Sequence, residues 1–233
     1  MQKTEPKRGL AFIIGTVMVL LSCALLFLQF DRRVTSGFLA LEPPLNQIFY
    51  AITQAGDALY PLVLALVFIL LGSWRLRRQL PAETTQFWLR WRARAIFLFW
   101  AVASSGLLTD LIKFLSGRPR PEKWLTENLY GFYLFETSAK MQSFPSGHSN
   151  TAAAIGLTLW YIWPKSWPLG LALTLAVMTS RVALLKHFPS DTLAGAWLAV
   201  VTTFYVYRYC RTRYPAAFAQ KETHAQSMSK NRS

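Results

Sequence analysis

The sequence predicts an all-α, polytopic membrane protein: a six-transmembrane-helix bundle with both termini cytoplasmic. Three observations carry that prediction. Hydrophobic residues make up 53% of the 233-residue chain and gather into six runs of about the length needed to cross ~30 Å of hydrocarbon. The net charge of +14 is shared unevenly among the segments that join those runs. The polar residues interrupting the runs form three clusters, all at one end of the predicted bundle.

The runs occupy residues 10–29, 58–74, 95–115, 148–163, 169–185 and 192–209. The first follows Lys3, Lys7 and Arg8, as a secretory signal would. It is longer than a signal's apolar core and no A-x-A cleavage site follows it, so an uncleaved signal anchor is expected. Segment 36–55 is too polar and proline-interrupted to span, and is expected to lie along the interface. The fourth run is short and starts with polar residues. Gly, Ser and Thr within several runs allow close helix approach. Residues 1–213 are therefore expected to form one membrane domain, and 214–233 a polar, disordered cytoplasmic tail.

Orientation follows from the basic residues. The N-terminal tail, the 75–94 loop, the 164–168 turn and the C-terminal tail hold sixteen of the 25 Lys and Arg, with only Glu5, Glu83 and Glu222 as acids. Even-numbered crossings put all four segments on one side, which the asymmetry marks as cytoplasmic. The basicity is thus a topology signal with some attraction to anionic lipid, and so long a set of uncharged runs speaks against a nucleic-acid partner. Cys23 and Cys210 have no evident disulfide partner. No HExxH, paired CxxC or carboxylate cluster indicates a metal, and no cofactor is expected. No feature indicates a protein partner.

The external end carries the chemistry. KFLSGRPRP (113–121) leaves the third run, PSGH (145–148) enters the fourth, and SRVALLKHFPSD (180–191) joins the fifth and sixth. Each has an ordinary explanation alone. Lys113 could snorkel or pair with Asp110, and Ser146 could cap a helix that Gly147 lets turn tightly. Asp191, in the first turn of a helix started by Pro189, could reach back to His187. Together they place two of the chain's three histidines, three cations and an aspartate at one membrane depth, where polar groups are costly unless paired or functional. A shared site explains this better than three coincidences.

These residues resemble the type 2 phosphatidic acid phosphatase superfamily, whose signature is K-x6-RP, PSGH and SR-x5-H-x3-D. Lys113 with Arg120-Pro121, Pro145 to His148, and Ser180-Arg181 with His187 and Asp191 fit every fixed position. The resemblance implies a metal-independent hydrolase of lipid phosphates. Lys113, Arg120 and Arg181 would bind phosphate with the Ser146 hydroxyl and the backbone around Ser146 and Gly147. It implies His187 as nucleophile forming a phosphohistidine, His148 as acid toward the departing lipid oxygen and then base toward water, and Asp191 as the hydrogen-bond partner of His187. His224, in the cytoplasmic tail, would have no part.

The implied partners are the bilayer and a lipid phosphate: undecaprenyl diphosphate, phosphatidylglycerophosphate, phosphatidic acid or a phosphate of lipid A. A compact chain without N-x-[ST] acceptors in its external loops suggests a bacterial inner membrane protein with its site facing the periplasm. Trp124, Leu125, Tyr130, Phe132, Tyr133 and Phe135 could rest at that interface. Arg118, Lys123 and Lys140 would either add charge near the pocket or form a solvated loop face. Transfer of the phosphate to another acceptor lipid, and non-catalytic lipid-phosphate binding or transport, are the alternative functions.

Overall fold

The computed structural model describes residues 5–218, which contain helices and no strand. The long helices are α1 (Glu5–Leu25), α4 (Leu59–Arg75), α5 (Ala82–Ser116), α7 (Gly147–Ile162), α8 (Trp167–Ala183) and α9 (Pro189–Arg213). Shorter helices are α2 (Asp31–Ser36), α3 (Leu45–Gln54), α6 (Pro121–Glu127) and α10 (Pro215–Phe218). A π-helical turn, Leu26–Phe30, joins α1 to α2. Three helical stretches, Gly9–Ser36, Leu45–Arg75 and Ala82–Glu127, are long and apolar enough to cross a membrane.

Helix α7 is the hub, packing against α5, α8 and α9, while α4 lies on α5, α1 on α9 and α3 on α8. Its sequence shows why it can be surrounded. Ala152, Ala153, Ala154 and Gly156 give it a buried surface of small residues, so neighbouring helices approach its backbone rather than long side chains. One core forms from Val102, Ala153, Ala154 and Ala199, and a second from Phe97, Ala101 and Cys210.

Tyr161 and Tyr207 stack at 4.0 Å near the second core. The bundle continues past residue 213, because Phe218 meets Phe97 and Tyr207 and the Ala217 carbonyl accepts from Arg94 Nε at 3.2 Å. Beyond residue 218 the expected tail, with His224, lies outside the described residues.

Alternating helix directions bring the C-termini of α5 and α8 and the N-termini of α7 and α9 to one end, where the three polar clusters lie. Away from that end α7 and α8 cross closely, where a Cβ at Gly156 would sit 2.7 Å from the Gly170 carbonyl oxygen, and the reverse holds equally. Gly156→Ala should therefore lower thermal stability in detergent by about 1–3 kcal/mol. Gly106→Ala, which meets nothing within 4 Å, should leave it unchanged or raise it slightly. Equal melting temperatures for the two variants would refute the close crossing.

Candidate active site

Each wall of the site begins with a helix end. Helix α5 stops at Gly117, whose φ of 54° is left-handed, and a Cβ there would lie 1.5 Å from the Tyr133 carbonyl oxygen. Only glycine fits, and the turn it makes points Arg118 inward. Helix α6 then starts with Pro121 at its first position and Arg120 at its N-cap, with the Arg120 amide held by the Lys140 carbonyl at 2.9 Å. Arg120 is thereby fixed at the backbone while its guanidinium Nε is buried without a protein partner.

The PSGH turn is gripped by α9. Ser146 donates its amide to the Asp191 carbonyl at 2.9 Å, and a Cβ at Gly195 would stand 2.3 Å from the Ser146 carbonyl oxygen. Ser146 is the N-cap of α7, its oxygen accepting from the Ser149 amide at 3.4 Å and the Ser149 hydroxyl at 3.0 Å. The first intrahelical bond here is Asn150 N–H to the Ser146 carbonyl, so the amides of Gly147 and His148 have no intrahelical acceptor, as at any helix start. Ser146 itself is fully buried, and its hydroxyl oxygen accepts within the turn. Lys113 belongs to the same wall: its Nζ lies 3.2 Å from where a Cβ on Gly147 would be, and 3.0 Å from Asp110 Oδ1. Across the turn, a Cβ on Gly56 would come within 2.8 Å of the His148 carbonyl oxygen, so the loop between α3 and α4 closes over His148.

Helix α8 ends on a left-handed residue, Leu185 (φ 54°). The Lys186 and Leu185 amides return to the Arg181 and Val182 carbonyls, both at 3.0 Å, and the His187 amide to that of Arg181 at 3.2 Å. This is a Schellman closure, and it fixes Arg181 and His187 relative to each other. Ser180 supports the same turn, donating its hydroxyl to the Val177 carbonyl at 2.7 Å. Arg181 donates from Nη1 to Thr53 of α3 at 3.0 Å, so the segment expected to lie beside the site contributes a direct partner. The Arg181 Nε, like that of Arg120, is buried with no protein acceptor.

The His187 ring sets its own tautomer. Nδ1 lies 2.7 Å from the Ser143 carbonyl oxygen, which only accepts, so Nδ1 carries the proton and Nε2 the lone pair. Asp191 Oδ2 is 3.7 Å from Nδ1, beyond hydrogen-bond distance. The direct contact expected between these two side chains is thus mediated by Ser143, whose hydroxyl donates to Asp191 Oδ2 at 2.6 Å. The same carboxylate oxygen accepts the Phe188 amide at 2.8 Å, capping α9. Burial pushes His187 down to about 4, against the upward pull of Asp191, so the ring is neutral at pH 7.

Asp191 Oδ1 meets Arg118, and here the sequence reading needs correction. Arg118 is no loop charge: it is 1% exposed, paired through Nη1 with Asp191 and through Nη2 with Asp31 at 2.6 Å. Its Nη1 also donates to Ser190 Oγ at 2.7 Å. Phe27, Tyr130, Phe132 and Phe188 surround it, their ring centroids 4.7–5.5 Å from the guanidinium carbon. Burial opposes its charge, but Asp191 and then Asp31 outweigh that and raise its pKa. Lys123 and Lys140, by contrast, form surface pairs with Glu127 and Glu122.

Residues 94–215, just over half of the chain, match the model of the PAP2 superfamily. The chain belongs to the PAP2 superfamily. A lipid A 1-phosphatase of Rhizobium etli (strain ATCC 51251 / DSM 11541 / JCM 21823 / NBRC 15573 / CFN 42) is 28% identical over 193 residues, covering 80% of this chain and 81% of that protein. A lipid A 1-phosphatase of Rhizobium johnstonii (strain DSM 114642 / LMG 32736 / 3841) is 26% identical over 203 residues, covering 84% and 80%. The crystal structure of a transmembrane PAP2 type phosphatidylglycerolphosphate phosphatase from Bacillus subtilis shares the fold: TM-score 0.59, 21% identity, 86% of this chain and 96% of that one. This PAP2 protein is accordingly an integral membrane phosphatase of the lipid-phosphate class.

The sequence reading missed Asp31, Thr53, Ser143 and Ser190. A lone acid closing an apolar run was a signal for Asp31; nothing marked Ser143, which contributes through its carbonyl as well as its hydroxyl. The depressed His187 pKa has a pH consequence. The unfolded chain, with an ordinary histidine near 6.5, binds more protons than the folded one between about 4 and 6.5. Stability from burying the neutral ring is complete above that window and lost as pH falls through it. The melting temperature should fall from pH 7 to pH 4.5 by more in the wild type than in His187→Gln; parallel curves would refute a buried neutral His187.

Proposed function

We propose that the protein crosses the membrane six times with both termini in the cytoplasm. Its site faces the periplasm of a bacterial inner membrane and hydrolyses a lipid phosphate monoester or diphosphate through a phosphohistidine. The observation that carries this reading is the tautomer of His187: with Nδ1–H bound to the Ser143 carbonyl, Nε2 is a neutral nucleophile near Arg120 and Arg181, whose buried Nε donors have no acceptor among the described residues.

The chemistry follows from those groups. Arg120, Arg181, Lys113 and the Gly147 and His148 amides stabilise the three equatorial oxygens as charge spreads over them. His187 Nε2 forms a bond to phosphorus while the bond from phosphorus to the lipid oxygen breaks, and His148 gives that oxygen a proton. The imidazolium character that develops on His187 is balanced by the Asp191 carboxylate through Ser143. Water then attacks phosphorus, surrendering a proton to His148, and inorganic phosphate leaves with His187 restored. The protein's own cations fill the electrostatic role that a metal ion takes in other phosphatases.

A phosphate at headgroup depth suits a site built at the helix ends. Among undecaprenyl diphosphate, phosphatidylglycerophosphate, phosphatidic acid and lipid A phosphate, the names of the two Rhizobium relatives favour lipid A 1-phosphate. Phosphate release measured from all four in detergent, with EDTA present, should be greatest for the lipid A phosphate. His187→Ala should reduce it at least 10³-fold and His148→Ala about 10²–10⁴-fold. Wild-type rates in a folded His187→Ala variant, or activity abolished by EDTA and restored only by Mg²⁺, would overturn the mechanism. Label passing to an added lipid acceptor in place of free phosphate would reassign the protein as a phosphotransferase.

A further inference from the structure

The residue that the motifs leave out is Asp31. It precedes residues 94–215 that match the family model, yet it is fully buried against the catalytic helix ends. Its Oδ1 accepts the Ser190 amide at 2.9 Å, and its Oδ2 accepts the Ser190 hydroxyl and Arg118 Nη2 at 2.6 Å. Tyr130 Oη, 3.4 Å from the same oxygen, donates to the Phe27 carbonyl.

We infer that Asp31 is a positioning residue of the phosphatase reaction, which balances Arg118 so that Asp191 keeps a full negative charge for His187. The inference rests on the histidine mechanism proposed above. One guanidinium between two carboxylates leaves this buried set with a net charge of −1. That single charge lies one Ser143 hydroxyl away from the ring that becomes cationic when His187 attacks phosphorus. Without Asp31, Arg118 would cancel Asp191 outright. The set would be neutral, and the developing imidazolium would face only Arg120 and Arg181, whose fields already oppose it.

The remaining titratable or charged groups around the cluster are few. Cys23 lies 3.8 Å from the Ser190 carbonyl, Tyr130 bridges toward Asp31, and Arg32 stacks on the outer face of Tyr130 at 5.1 Å. Glu122 faces Arg120 but is paired with Lys140 at the surface. None replaces the Asp31 carboxylate. The Ser190 contacts also explain its geometry: Asp31 caps the start of α9 from outside, so its charge and the direction of Asp191 are set together.

The test is the acid limb of kcat/KM, which reports the free enzyme's base, for the full-length protein acting on short-chain phosphatidic acid in detergent micelles. The substrate's own ionisation is common to all variants. Asp31→Asn makes the set neutral and should move the limb down by about one pH unit, lowering kcat about tenfold or more with KM changed less than about twofold. Asp31→Glu keeps the charge and should hold the wild-type limb. Arg118→Gln makes the set −2 and should move the limb up. The double variant Asp31→Asn/Arg118→Gln is again −1 and should return the limb to the wild-type position, a reversal that a purely structural role would not produce. If either single variant does not fold, the double variant against wild type decides: coinciding limbs support the inference, and a displaced limb overturns it. An Asp31→Asn limb that matches wild type also overturns it. A wild type that releases no phosphate from this lipid or from any of the other three candidate lipid phosphates would reject the proposed function instead.

Discussion

The structure of this site depends on one buried cation. Arg118, sealed from solvent by four aromatic rings, joins the N-terminal segment at Asp31 to the start of α9 at Asp191. Removing one member of such a cluster leaves an uncompensated buried charge, a loss on the order of 3–5 kcal/mol. The ion pairs therefore specify which helix ends meet, and in what orientation, more than they add stability. Gly117 makes this possible, because only a residue tolerant of positive φ and free of a Cβ can end α5 and send Arg118 into the interior.

The contrast between Arg118 and the other two guanidinium groups is instructive. Arg118 has two carboxylates and is electrostatically spent. Arg120 and Arg181 are fixed by backbone bonds and by Thr53, and each keeps a buried Nε donor without a protein acceptor. A buried guanidinium N–H without a protein acceptor is a donor that an arriving anion would satisfy. The fold thus divides its arginines between one that is neutralised by two carboxylates and two that keep donors free, the pair to which the proposed mechanism assigns the phosphate.

Much of this was legible in the sequence, for a physical reason. The candidate site residues sit at helix ends, and helix ends are announced by apolar runs stopping and by proline, glycine and serine starting new ones. Lys113, Arg120, His148, Arg181, His187 and Asp191 could be gathered on one face by counting crossings alone. The sequence could not show that Arg118, two residues from Arg120 in GRPRP, is buried between two carboxylates, because that placement depends on Gly117 packing against Tyr133. Asp31 and Ser143 were invisible as partners for a similar reason: their roles arise from contacts across 87 and 48 residues of chain. The central place of α7 was not legible because its run is short and begins with polar residues, and the packing of its small residues shows only in the folded bundle.

The proposed mechanism requires His187 Nε2 to bond covalently to phosphorus in the course of turnover. The most direct measurement is a rapid alkaline quench of the wild-type protein during turnover of a lipid phosphate, followed by peptide mass spectrometry, since phosphohistidine survives base. The expected result is a phosphoryl group on His187 that is absent from His187→Ala and decays as free phosphate appears. Turnover with no phosphoryl adduct at any quench time, or an adduct on another residue, would contradict it.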